Sequence, residues 1–419
     1  MGDADWLTYE SALEAILSTV GPSGVERVPA ADALGRALAE RVVARVDHPP
    51  WDNSAMDGFA VHADDVAGAS PAAPVILPIS DDIAAGRFPA GPLRRGTAAR
   101  VMTGAPVPDG ATGVVRVEHT DGGSRGQVRI LDDADASRHI RPKAEDIASG
   151  DTLLSGGSAI TPAAVALLAM TGRDDVRVGR RPRIGILANG DELAAAHEFD
   201  EVLAGRRIAN SNGPGLAAQV IEAGGEPVLL GIARDDPESL RRRIESGAEC
   251  DGIISAAGVS VGEHDYVKSV LDDLGFDRSF WRVKMRPGSA TLFGLLDGRP
   301  FWGVPGNPVS AMVTFEALAR PAIRRMAGFQ ATRRVTIPCR VAEDVRGPAD
   351  VVSFLRVVLV DDSPPVLSVR LSGPQGSGVL SSMIADGLLI LPEGMSGVER
   401  GGMAEMLPLR ELFRPEASA

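Results

Sequence analysis

The chain reads as an α/β multidomain protein: a parallel-sheet domain, a helical linker region, a small β-rich insertion and a C-terminal all-β domain. Three observations predict this. Between residues 181 and 330, short apolar runs alternate with helical patterns, as in βαβ units. From 46 to 145 the chain turns rich in Val, Pro, Gly and Asp in short alternating runs, between two segments of helical period. Past 331 the helical period stops, and β-rich runs broken by Pro, Gly and Asp replace it. The expected boundaries are 1–45 with 146–180 for the helical N-terminal and linker domain and 46–145 for the insertion. The α/β domain takes 181–330 and the C-terminal β domain 331–419. A length of 419 residues suits three or four domains of roughly 100–200 residues each.

Each element follows from local pattern. Residues 8–20 predict an amphipathic helix with Thr8 as N-cap and Leu13, Ile16, Leu17 and Val20 on one face. Thr161 as N-cap, Pro162 at N1 and Gly172 as terminator predict a second helix. In the α/β region the expected strands are 184–187, 228–232, 252–255 and 301–304. The expected helices are 212–224, one capped by Asp236 with Pro237 at N1, 265–274, and a long one over 308–326. Right-handed crossovers place the loops after these strands along one edge, where such sheets bind ligands. The C-terminal strands are expected at 335–339, 351–360, 366–371 and 388–391.

Composition narrows the partners. There are 43 basic against 56 acidic residues, a net charge of −13, which argues against a general binder of nucleic acid or acidic membranes. Two distant cysteines, Cys250 and Cys339, and six scattered histidines offer no metal-ligand spacing and fit a reducing cytoplasm. The first thirty residues read as no signal peptide, and no run of 18 apolar residues predicts a membrane span.

The chemistry sits in loops. Pro49-Pro50-Trp51-Asp52-Asn53-Ser54-Ala55-Met56-Asp57-Gly58-Phe59-Ala60-Val61 packs two carboxylates, an amide and a hydroxyl beside a bulky Trp51. As local structure alone, Asp57-Gly58 is a hairpin dipeptide and Asp52-Asn53-Ser54 an Asx turn. Three loops of the α/β region leave a strand for a helix or turn. They are Ala188-Asn189-Gly190-Asp191-Glu192-Leu193, Gly258-Val259-Ser260-Val261-Gly262-Glu263-His264-Asp265-Tyr266 and Val304-Pro305-Gly306-Asn307-Pro308-Val309-Ser310. Glycines admit close backbone approach, and hydroxyls and helix N-terminal amides donate to anions. Two carboxylate-bearing loops with one donor-rich loop suit a phosphate held with Mg²⁺, which takes one or two carboxylates plus phosphate oxygens. Plain structural readings stand beside these: Asp265 as a helix cap, Asn307-Pro308 as an N-cap and N1 pair, Asp191-Glu192 as a solvated turn.

Taken together with Asp235-Asp236-Pro237, Met102-Thr103-Gly104-Ala105-Pro106, Arg141-Pro142-Lys143-Ala144-Glu145-Asp146, Gln375-Gly376-Ser377-Gly378 and Asp386-Gly387-Leu388, these motifs cover nearly the whole chain. In order and spacing the sequence resembles the molybdopterin molybdenumtransferase family, bacterial relatives of the gephyrin E domain. The resemblance implies a molybdopterin-binding parallel-sheet domain and the insertion of molybdate into adenylylated molybdopterin with release of AMP, aided by Mg²⁺. It gives the catalytic role to Asp57, Asp146 and Asp265. Asn189, Gly190, Asp191, Glu192, Ser211, Asn212, Gly258, Ser260, Gly262, Pro305, Gly306, Asn307 and Pro308 bind the pterin substrate. Thr103, Arg282, Arg286 and Ser289 face molybdate, with Lys284 on the same basic strand, which also reads as an exposed strand face. The metal falls to Asp191, Glu192, Asp236 and Asp265. The family implies a homodimer with sites between subunits, and adenylyltransferase and molybdoenzyme partners.

Departures from the family pattern fall at Ala188 and Asn189, Ala256 and Ala257, Ala144, and Ser289, where a Ser-Thr, a Ser-Gly, a Gly and a Lys are usual. Lost hydroxyls remove hydrogen bonds worth roughly 0.5–1.5 kcal/mol each. Ala257 is the sharpest case if its backbone needs positive φ. The departures leave a non-catalytic molybdopterin-binding carrier or scaffold as the alternative reading. A molybdopterin adenylyltransferase is a further alternative, but such enzymes lack the insertion and the C-terminal β region.

Overall fold

Thr8 opens the first helix as its pattern predicts: its Oγ1 accepts the Ser11 amide at 3.2 Å, and Tyr9–Thr19 buries Ala12, Leu13 and Ile16. Full burial of Leu13 and Ile16 stabilises by about 1.5–3 kcal/mol each. The computed structural model describes residues 6–258, 266–361, 366–376, 378 and 380–410. The chain forms two units, one of Met1–Glu40, Gly156–Ala166 and Asp174–Ala419, the other of Arg41–Ser155 and Leu167–Arg173. The second unit is wider than the 46–145 that composition suggests.

In the first unit the predicted parallel strands form a sheet in the order Glu226–Ala233, Arg183–Asn189, Gly252–Ala256, Arg299–Val304. Two antiparallel strands, Leu292–Leu296 and Asp277–Trp281, extend it, so the sheet is mixed where the pattern predicted a parallel one. Helices Asn212–Ala223, Pro237–Ser246 and Tyr266–Asp273 cover it, with apolar faces buried. The region 1–45 with 146–180 is less helical than expected: Val25–Pro29 pairs antiparallel with Asp175–Gly179.

The long helix expected over 308–326 is divided. Pro308–Thr314 passes through a π-helical turn, Phe315–Ala319, into Arg320–Met326. Pro321 has no N–H to give the Ala317 carbonyl, four residues back, which favours a local rearrangement. The Tyr9 hydroxyl donates to that carbonyl at 3.4 Å.

The C-terminal strands close into a small barrel. Val352–Asp361 pairs with both Leu367–Leu371 and Gly387–Leu391, and Ile337–Val341 with Met403–Pro408 completes the ring. Closure removes open sheet edges. Val283–Arg286 leaves the α/β sheet, pairing instead with Val352 and Ser353 of the barrel on one side and Leu7 and Thr8 on the other. The basic strand singled out above therefore belongs to the barrel's sheet.

The second unit is built on a five-stranded sheet in the order Gly113–Arg116, Gly58–Val61, Ala98–Val101, Val75–Ile83, Gln127–Ile130. Phe59, Val61, Leu77, Val115, Val128 and Ile130 form its core. Among the described residues no helix is long and apolar enough to cross a membrane.

Candidate functional site

The insertion unit gathers the first set of motifs. Gly58 starts a central strand at a place with no room for a side chain, since a Cβ would stand 2.1 Å from the Val115 carbonyl oxygen. This fixes the exit of the Asp52–Asp57 segment. Asp57 Oδ1 accepts both the Thr103 amide at 2.7 Å and its hydroxyl at 2.8 Å. These bonds hold the exposed carboxyl below its usual range. Thr103, expected on molybdate, thus also orients Asp57. Asp52 Oδ1 accepts the Lys143 amide at 2.7 Å, and Asn53–Ser54 pairs with Ile140–Arg141. The Arg141-to-Asp146 motif is therefore brought to the signature segment, with Asp146 exposed and its amide on the His48 carbonyl. Ala144, where a glycine is usual, has φ +61°.

Behind this segment lies a cluster that sequence reasoning missed. Asp135 is 1% exposed and accepts Arg116 Nε at 2.8 Å and His139 Nε2 at 3.1 Å. Burial pushes its carboxyl up, but the Arg116 and His139 hydrogen bonds outweigh this and bring it down to about 2. A carboxylate depressed on folding contributes stability that is complete above the unfolded pKa, near 4, and is lost as pH falls through the folded value. Urea melts of the whole protein are therefore expected to show stability falling between about pH 4 and pH 2. In Asp135→Asn that part of the pH dependence should vanish.

The second set lies on the edge after the parallel strands. Asn189, 7% exposed, ends the first strand and donates Nδ2 to Ser255 Oγ at 2.7 Å and to the Ala257 carbonyl at 3.1 Å. The carbonyl contact requires the amide nitrogen on that side, which leaves Asn189 Oδ1 buried without a partner among the described residues. Ala257 does adopt φ +74°. A left-handed Ala costs roughly 1–2 kcal/mol, partly regained when Gly replaces it because Gly loses more chain entropy on folding. Ala257→Gly is expected to stabilise by up to about 1 kcal/mol in chemical denaturation. Gly258 follows at φ +80°, and a Cβ there would meet Val267 Cγ2 at 2.1 Å. Asn212 Nδ2 donates to the Gly306 carbonyl at 2.7 Å, and Asn307 with Pro308 starts the next helix, tying the third loop to the first helix of the sheet. Pro305 joins that loop to its strand, and Ser211 precedes the Asn212 helix without capping it through its side chain.

Asp191 and Glu192 are exposed. Asp191 and Asp235 exchange bonds, each carboxylate accepting the other's amide, at 3.2 and 3.3 Å. Arg234 braces the loop through the Leu193 carbonyl at 3.0 Å. Asp236, expected on the metal, caps its helix, its Oδ1 accepting the Ser239 amide at 2.7 Å. No group of three metal-ligating side chains occurs among the described residues. Ser260, Gly262 and Asp265 lie outside the described residues.

A third feature joins the basic strand to the barrel. A cavity of about 360 Å³ is lined by Arg286, Pro287, Arg346, Gly347, Pro348, Ser353, Leu355, Arg356 and Gln375. Arg356 is fully buried and has no carboxylate partner among the described residues. Its Nε donates to Ser382 Oγ at 3.0 Å, and Nη2 to the Pro374 and Gly376 carbonyls at 3.2 and 3.1 Å. Its Nη1 and the Ser353 hydroxyl are buried with no partner among the described residues. Burial pulls the Arg356 guanidinium down from its ordinary value. Gln375 exchanges bonds with the Arg356 backbone and so holds the 373–376 turn against the strand. Of the residues expected on molybdate, only Arg286 lines this cavity. Arg282 stacks 5.3 Å over the Trp6 ring, Lys284 pairs with Glu393 at 3.8 Å, and Ser289 serves through its carbonyl, which accepts the Val283 amide. The signal for Arg356 was present: one Arg inside the apolar run of 351–360.

Comparison with known proteins agrees with this fold. Residues 7–172 match the MoeA N-terminal region (domain I and II), 185–325 the probable molybdopterin binding domain, and 338–409 the MoeA C-terminal region (domain IV). Molybdopterin molybdenumtransferase 2 of Mycobacterium tuberculosis is 38% identical over 389 residues, covering 91% of this chain and 94% of its own. Molybdopterin molybdenumtransferase of Bacillus subtilis is 33% identical over 390 residues, 92% and 90% of the two chains. The crystal structure of the molybdopterin biosynthesis moeA protein of Pyrococcus horikoshii OT3 superposes with a TM-score of 0.82 at 26% identity, covering 96% of this chain and 99% of that one. With every part of its fold and nearly its whole length accounted for, the chain belongs to the molybdopterin molybdenumtransferase family.

Proposed function

We propose that this protein inserts molybdate into adenylylated molybdopterin and releases AMP, and that the cavity around Arg356 receives the molybdate. The buried Arg356 guanidinium, with no carboxylate partner among the described residues, carries this reading. A buried cation without a counter-charge is costly, and a tetrahedral dianion would supply both the charge and an acceptor for Nη1. Arg286 and Arg346 add positive charge at the rim, and Ser353 adds a hydroxyl.

The pterin substrate falls to the loops on the sheet edge, where Gly258 and Gly306 allow close backbone approach and Asn189 and Asn212 hold the loop carbonyls. Asp191 and Glu192 are hard oxygen donors and fit an ion that takes one or two protein carboxylates with substrate phosphate. Such an ion, Mg²⁺ in this reading, would offset charge on the leaving phosphate. Asp57, kept ionised by Thr103, is the catalytic carboxylate, and Asp146 and Asp265 share that role. In a two-fold dimer, the insertion unit of one copy would supply Asp57 and Asp146 to the sheet edge of the other. A cytoplasmic location, an adenylyltransferase that delivers substrate and a molybdoenzyme that accepts product complete the proposal.

Calorimetric titration with molybdate against a sulfate control tests the pocket directly. Saturable molybdate binding at one site per chain supports the reading, and molybdate heats no larger than those of sulfate contradict it.

A further inference from the structure

The signature segment is held at its two ends by residues that meet at one buried carboxylate. At the entry, the Ala55 amide donates to the His139 carbonyl at 2.8 Å, and Ser54 stands in register with Ile140. At the exit, the Val117 amide donates to the Asp57 carbonyl at 3.1 Å, and Gly58 stands in register with Arg116. Entry and exit thus depend on two short stretches, 139–140 and 116–117, that are distant in sequence.

Asp135 joins them. Its Oδ2 accepts Arg116 Nε and, at 3.3 Å, the Arg116 backbone amide; its Oδ1 accepts His139 Nε2. His119 Nδ1 lies 3.1 Å from Oδ2. Arg116 can only donate, so its 3.4 Å contact to His119 Nε2 makes that nitrogen an acceptor. The His119 hydrogen is then on Nδ1, close to the carboxylate without making a hydrogen bond to it among the described residues. His139 itself has φ +67°, a conformation rarely held by a residue with a side chain. The Asp135 bond to its ring holds the residue whose strained backbone presents the carbonyl to Ala55.

We infer that Asp135 is a positioning residue for Asp57, fixing both ends of the Ser54–Asp57 segment through Arg116 and His139. It touches no substrate in this scheme. Its effect on turnover rests on the proposed function, whereas its hold on the segment does not.

The test uses the full chain with two variants, Asp135→Asn and His139→Asn. Asn tolerates left-handed backbone, so the second variant removes the ring contact while keeping the chain direction, even if the first fails to fold. Hydrogen exchange is followed at the Ala55 and Val117 amides, with the amides of Val75–Ile83 as an internal reference. Faster exchange at Ala55 and Val117 with an unchanged reference is the expected result. Alongside it, kcat should fall on the order of tenfold to a hundredfold, as for a misplaced catalytic group, with KM for molybdate unchanged. Unchanged exchange at both amides overturns the inference. So does exchange that rises equally in the reference strand of His139→Asn, which would make the cluster general scaffold, or a KM increase with kcat preserved. A wild-type protein without turnover contradicts the proposed reaction, and the exchange arm then still decides whether Asp135 holds the segment.

Discussion

Arg356→Met is expected to raise KM for molybdate on the order of tenfold to a hundredfold, since hydrogen bonds to a charged group contribute about 1.5–3 kcal/mol. Met fills much of the same volume, and exchanging a buried ion for an apolar side chain need not destabilise a fold. Here the Pro374 and Gly376 carbonyls would lose their donor, so stability should fall by about 1–3 kcal/mol at most. The Arg346→Met change is the internal comparison. Arg346 is exposed at the rim, where solvent screens its charge, so its effect on KM should be clearly smaller. Initial rates over a molybdate series measure both. Equal effects of the two substitutions, or none from Arg356→Met, would remove the anion pocket from its assigned place.

Asp57→Asn should lower kcat by about a hundredfold or more, the range associated with loss of a positioned acid–base group. Asn keeps an oxygen where Oδ1 accepts the Thr103 amide and hydroxyl, so the segment should hold its shape while losing its charge. KM for molybdate and the thermal midpoint are accordingly expected to stay near wild type. Thr103→Val removes the hydroxyl and retains the amide bond, so its kcat should lie between the two. Steady-state kinetics on the three proteins give the order. An Asp57→Asn enzyme that turns over like wild type would exclude a catalytic role for this carboxylate.

Much of this architecture could be read from local pattern. Caps and periodicity located the helices at Thr8, Thr161 and Asp236, because a hydroxyl or carboxylate at the first turn acts within three residues. The strand and loop order of the α/β region was legible for the same reason. What local pattern could not reveal was partner choice. The four residues of Val283–Arg286 suit either neighbouring sheet, and their place was decided by Val352 and Ser353, about seventy residues on. The π-helical turn at Phe315–Ala319 is signalled by Pro321, but its supporting donor, Tyr9, lies some three hundred residues away. Site residues divide in the same way. Asp57, Asn189 and Gly258 stand in loops whose composition marks them. Arg356, Ser353 and Asp135 lie in ordinary strand or turn sequence, and only the folded chain brings them to the places where roles are proposed for them. Asp236 stands in a motif and caps a helix as well, so its local role was legible without any ligand.

Ala257 and Asn189 explain how motif departures are accommodated. The left-handed backbone expected of a glycine is retained with an alanine, and the Asn189 amide bonds the carbonyl that follows. The exchange keeps the loop's direction while adding a methyl group that stands 3.0 Å from the Cβ position of Gly306. A side chain at 306 would therefore crowd the alanine at 257.

The most direct measurement is turnover by the purified wild-type protein given adenylylated molybdopterin, Mg²⁺ and molybdate, following AMP and active cofactor together. The account predicts that both products appear in step and that both depend on molybdate. Tight pterin binding with no molybdate-dependent AMP release would contradict it and would identify the chain as a carrier of the cofactor.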